Sequence, residues 1–155
     1  MDNWVPLSNE LYRQVWDKFY EQFNFKPSVH SSDWPSFSLP SPYITHKLTS
    51  YTDDDIDDLE RKCVACLKSV TEPNEYLYAL DWQHESFQYN PHLGPPSTIS
   101  FYPDGDYYLF INKDFTWGYL GHPWEQTISI FGGVLIQQFE INSPKLFGEV
   151  VRSSE

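Results

Sequence analysis

Two short stretches set ionisable side chains beside tryptophan: Asp81-Trp82-Gln83-His84-Glu85 and His122-Pro123-Trp124-Glu125. Drawn together, their imidazoles and carboxylates could bind a divalent metal or share acid and base work. His84, Glu85, His122 and Glu125 are therefore the candidate site for a small-molecule or metal-dependent enzyme. Neither stretch has the HExxH spacing that sets two ligands on one helical face. The local reading is more economical: His122 closes a loop and caps a helix begun by Pro123, while Glu125 complements that helix's positive end. Asp81 interrupts an apolar strand, and alternation puts it opposite Tyr78, Leu80 and Trp82, facing water and open to a partner.

Cys63 and Cys66 form a CxxC spacing, but structural zinc normally takes four ligands and no second CxxC exists. Both fall on the apolar stripe of a helix, where cysteine acts as a small buried hydrophobe. No G-x-S-x-G elbow, GxxxxGK[ST] loop or GxGxxG turn is present. The residues thus assign no catalytic group, cofactor or metal set, and the chain reads as a binding protein.

The elements that position these groups follow from periodicity. Ser8 caps a helix with apolar positions Leu11, Tyr12, Val15, Trp16, Phe19, Tyr20 and Phe23. Residues 24–42 are proline- and serine-rich but carry Phe25, Trp34 and Phe37 as anchors, an ordered winding connection. Thr52 and Asp55 make a capping-box variant for a second helix with inner positions Ile56, Leu59, Cys63, Cys66, Leu67 and Val70. Its outer side carries Asp54, Asp57, Asp58 and Glu60. Strands are expected at Tyr76–Trp82, Ser86–Tyr89, Thr98–Tyr102, Tyr107–Asn112 and Thr116–Leu120, with a loop at Gly94-Pro95-Pro96 and a tight turn at Asp104-Gly105. A last helix is expected from Pro123 towards Phe139, weakened at Gly132-Gly133. The whole is an α+β domain over residues 1–155, with an antiparallel sheet of about five strands, two N-terminal helices and one C-terminal helix packed in two layers.

Charge narrows the function. The 155 residues include 22 acidic and 10 basic side chains, a formal net of −12. Such a field repels nucleic acid and anionic membranes and attracts basic proteins. Without an export signal or an apolar run of about 18 residues, the chain is expected to be cytoplasmic. Asp53, Asp54, Asp57, Asp58 and Glu60, with Asp81, His84 and Glu85, are the expected partner-binding residues. Aromatics at 18% of the chain supply core and interface anchors, and exposed rings would also suit a homodimer.

The stretches DWQH at 81–84, PDGDYYLF at 103–110, KDFTWGYLGHPWEQTISIFG at 113–132 and WVPLSNELYRQVWDKFYEQFNFKPS near the start resemble a bacillar family. That family includes immunity proteins encoded beside LXG-type polymorphic toxins, whose C-terminal domains are often nucleases. The resemblance implies an antitoxin that blocks the basic cleft of a cognate toxin stoichiometrically, and it brings no catalytic residue set. A general regulatory protein-interaction module is the other non-enzymatic reading.

Overall fold

A computed structural model describes residues 2–49, 52–94 and 98–154. Among these residues eight antiparallel strands form one sheet: β1 (Trp4–Pro6), β2 (Tyr43–Leu48), β3 (Leu77–Asp81), β4 (Phe87–Tyr89), β5 (Tyr108–Ile111), β6 (Gly118–His122), β7 (Thr127–Phe131) and β8 (Phe147–Ser153). Their spatial order is β1-β4-β3-β5-β6-β7-β2-β8. Three helices accompany them, α1 (Asn9–Gln22), α2 (Asp53–Ser69) and α3 (Gly133–Ile141). The α+β character is as expected, but the sheet is wider than five strands and is covered on both faces, so the layers number three.

Alternation along the strands explains the third layer. Leu80, Leu109, Ile111, Leu120 and Phe131 pack with Val15, Trp16, Phe19 and Phe23 of α1 and with Phe25 and Phe37 of the proline-rich arm. Their neighbours Ala79, Phe110, Tyr119, Ile128 and Ile130 face the other way, towards Leu59, Cys63 and Cys66 of α2 and Leu135 and Phe139 of α3. Every residue of β6 and β7 is buried, the pattern of strands without a wet face. A fully buried ring such as Phe19 contributes roughly 1.5–3 kcal/mol relative to exposure.

The first two helices begin as their caps dictate. Ser8 Oγ accepts from the Leu11 N–H, and Thr52 and Asp55 exchange the two bonds of a capping box at 3.3 and 3.1 Å. The expected helix from Pro123 to Phe139 is instead β7 followed by the shorter α3. Ile128 and Ile130 alternate with Thr127, Ser129 and Phe131, so the same residues satisfy a two-residue repeat, and β-branched side chains favour the strand. Pairing across the Pro123–Gln126 turn, where the Gln126 N–H reaches the His122 carbonyl at 3.0 Å, decides it. His122 thus continues the sheet rather than ending it. Gly132, at φ +90°, breaks the strand from the helix; a Cβ there would lie 2.6 Å from the Thr116 carbonyl oxygen.

Two further expectations change. Thr98–Tyr102 is no strand: Ile99 and Phe101 are buried, with Phe101 stacked 4.3 Å from Phe110. Gly105 does take a positive φ of 115°, but β5 pairs with β3 and β6, so the turn joins no hairpin. Residues 95–97, most of the expected proline loop, lie outside the described residues. Among those described, no helix is long and apolar enough to cross a membrane.

Asp58, expected outside, is 2% exposed. It accepts from the Lys145 N–H at 2.8 Å and pairs with Arg61 at 3.1 Å and Lys62 at 3.0 Å, tying α2 to the segment between α3 and β8. Burial alone would raise its pKa; the Lys145 N–H and Lys62 outweigh it and hold the carboxyl below the ordinary range. Folding therefore gains from Asp58 above the unfolded pKa of about 4, and loses that gain as pH falls through the lowered native value. Asp58→Ala should cost about 2–3 kcal/mol in urea unfolding at neutral pH; a loss within experimental error would contradict this anchoring role.

Candidate acidic binding face

α2 turns Asp53, Asp54 and Asp57 into solvent and leaves Glu60 half-buried. Its nearest basic residues, Arg61 and Lys62, both turn to Asp58. Among the described residues no ion pair involves Asp53, Asp54, Asp57 or Glu60. Burial, reinforced by Asp57, raises the Glu60 pKa. Glu60 lines a cleft of about 330 Å³ with Ser100, Phe101, Asp104 and Tyr108, two carboxylates and two rings in a space that suits a lysine or arginine side chain.

The cleft connects α2 to the second expected group. Asp81 on β3 lies directly across from Tyr108 on β5, so their side chains share the face that α2 covers. The Tyr108 hydroxyl donates to Asp104 at 3.0 Å. Burial raises its pKa first, then Asp104, Asp81 and Asp106 add to the shift. The His84 Nδ1 lies 2.8 Å from Asp106 and 3.3 Å from Asp81. Asp81, expected to face water freely, has a side chain only 21% exposed. Burial and the adjoining Asp106 push it above the usual carboxylate range, and His84, beside both, is raised by them. Glu85 is exposed and outside this group.

The other expected histidine is on the opposite face. Tyr107 and Tyr108 are consecutive, and Tyr107 points to the α1 side, where its hydroxyl lies 3.0 Å from Ser36 Oγ and 3.4 Å from His122 Nε2. His122 is fully buried, in edge contact with Trp34 at 5.2 Å and Tyr107 at 4.9 Å. It caps no helix; its Nδ1 accepts from the Glu125 N–H at 3.0 Å. A main-chain N–H only donates, so in the neutral ring the proton sits on Nε2, which donates to Ser36 Oγ, 3.0 Å away. His122 in that tautomer has no lone pair to take a proton from Ser36, and the pair lacks the polarity of a serine nucleophile and its base. Glu125 makes a two-pronged pair with Arg152, one prong at 2.8 Å, and accepts from Thr127 at 2.8 Å. Burial would raise its pKa; Arg152 and Thr127 lower it on balance. His84, Glu85, His122 and Glu125 thus belong to separate surroundings on two faces of the sheet and do not make one active site. The CxxC thiols are buried and held protonated, Cys66 pushed up to about 12.

Sequence reasoning missed Asp104, Asp106 and Tyr108 on the acidic face, and Ser36, Tyr107 and Arg152 on the other. Asp104-Gly105 reads as a turn, but only the β3–β5 register shows that the chain after it returns Asp106 beside Asp81.

Fold and surface together define an α+β protein with one antiparallel sheet between helical layers and an acidic outer face. The chain belongs to the family described as Protein of unknown function (DUF2716), which it matches over residues 6–136. It is similar to the uncharacterized protein YxiI of Bacillus subtilis (strain 168), at 30% identity over 162 residues that cover 95% of this chain and 98% of that one. No solved structure matches it.

Burial pushes the His122 pKa down to about 4 from an ordinary 6.5. Between those values the unfolded chain binds the extra proton, so this residue's share of stability falls as pH drops from 6.5 to 4. Nitrogen-15 NMR titration should find His122 neutral and protonated on Nε2 over most of that window, charging only as the pH approaches 4; a midpoint near 6.5, or a proton on Nδ1 in the neutral ring, would refute the buried assignment.

Proposed function

We propose that this chain is an immunity protein: a cytoplasmic, stoichiometric inhibitor that binds an LXG-type toxin and covers the basic cleft of its C-terminal domain, which we take to be a nuclease. The observation that carries the reading is the uncompensated acidic face. Among the described residues Asp53, Asp54, Asp57 and Glu60 pair with no cation, Arg61 and Lys62 being turned to Asp58, and the cleft at Tyr108 extends the negative surface from Glu60 to Asp104.

Physical chemistry supports the pairing. A nuclease cleft concentrates lysine and arginine because it holds phosphates, and a surface of opposite sign accelerates encounter and discriminates against other partners. The Glu60–Asp104–Tyr108 cleft would receive one basic side chain of the toxin. The sequence resemblance to immunity proteins of LXG toxins points the same way.

Growth rescue of cells expressing a neighbouring LXG toxin, together with co-purification, tests the function directly. Asp54→Lys, Asp57→Lys and Glu60→Lys combined should leave the fold intact, weaken toxin binding at least about tenfold and reduce its dependence on salt. Asp58 is left native in this test because it supports the fold. Failure to rescue any adjacent toxin sinks the immunity reading; rescue with undiminished affinity in the reversed variant moves the interface elsewhere.

A further inference from the structure

We propose that Asp81, His84 and Asp106, with the main-chain carbonyl of Trp82, form a binding site for a divalent first-row metal ion, zinc foremost. This does not rest on the inhibitor reading. Three oxygens converge on one nitrogen: Asp106 Oδ2 at 2.8 Å, the Trp82 carbonyl at 3.0 Å and Asp81 Oδ1 at 3.3 Å from His84 Nδ1. One N–H cannot serve three acceptors well, whereas a divalent ion in its place serves all of them and accepts the nitrogen lone pair too.

The spacing agrees. Ligand atoms held about 2.1 Å from an ion lie about 3.0–3.4 Å from their neighbours, close to the 2.8, 3.0 and 3.3 Å that separate His84 Nδ1 from its three oxygens; the three side-chain ligand atoms lie within 4.8 Å of one another, so a small inward turn of the exposed His84 would complete the shell. Asp81 and Asp106 adjoin each other, and His84 is their one ion-pair partner among the described residues. A divalent ion would relieve the repulsion between them. An imidazole with carboxylate and carbonyl oxygens suits zinc, manganese or cobalt better than calcium or magnesium. His84 has a side chain 67% exposed, so remaining coordination positions would open to water or to a docked protein.

The site differs from the set of His84, Glu85, His122 and Glu125 expected from the sequence. It takes Asp81 and His84 from one end of β3 and its turn, and Asp106 from the residue pair preceding β5, brought together by the β3–β5 register.

The test uses the full chain, freed of metal with chelator and titrated with zinc by calorimetry at about 0.15 M salt, where diffuse attraction to the acidic surface is screened. Cobalt titration followed by visible absorption reports imidazole and carboxylate ligation. One ion per chain is expected. His84→Ala and Asp106→Asn should each weaken binding at least about tenfold, since loss of an outer-shell partner alone costs that much; Glu85→Gln should not. Circular dichroism checks folding, and the exposure of His84 lets its variant stand alone if Asp106→Asn misfolds. Unsaturable binding, or affinity unchanged in His84→Ala, overturns the site.

Discussion

Burial of the central strands on both faces is the constraint on which the rest of this structure depends. β5, β6 and β7 hold apolar residues in both parities, so neither side of the sheet can meet water, and α1 must cover one while α2 and α3 cover the other. Gly118 and Phe131 show how tightly the pleat is used. They are cross-strand partners, and a Cβ on Gly118 would lie 2.7 Å from the Phe131 ring. Close packing of this kind leaves little room for a polar group unless its hydrogen bonds are met.

That same two-sidedness sorts the polar residues. Adjacent positions on a strand point apart, so Tyr107 and Tyr108 deliver their hydroxyls to two unrelated networks. On the α1 side, Ser36, Tyr107 and His122 satisfy one another in a sealed pocket, a structural arrangement in which burial keeps the imidazole neutral. On the α2 side, Tyr108 bonds Asp104, and Asp81 and Asp106 lie beneath the exposed His84. The buried network stabilises a fold, and the open one is available to ligands. Ion pairing follows the same division: Asp58 and Glu125, both drawn inward, capture Arg61, Lys62 and Arg152, and among the described residues the outer carboxylates of α2 pair with no cation.

Much of the framework was legible in the residues. Ser8, Thr52 and Asp55 announce the first two helices because capping is local chemistry, and Leu59, Cys63, Cys66 and Leu67 mark the inward stripe of α2 by spacing alone. Tyr76 to Trp82 and Tyr107 to Asn112 read as strands for the same reason. Legibility failed where one stretch satisfied two periods, as at Ile128 and Phe131, and where apolar residues plug a core without joining a ladder, as at Ile99 and Phe101. β2 and β8 escaped because their faces are unequal mixtures of buried and exposed residues, with register shifts in their pairing.

The acidity, the capped helices, the apolar stripes and the polar stretches that invite chemistry are all written in residue type and near-neighbour spacing. Which carboxylates lie together is set by the folded chain. Asp58 left the acidic surface because it meets the main chain of Lys145, 87 residues away, and Asp106 joined Asp81 because two strands pair in one register. Those outcomes depend on contacts between distant segments, and periodicity along the chain carries no record of them.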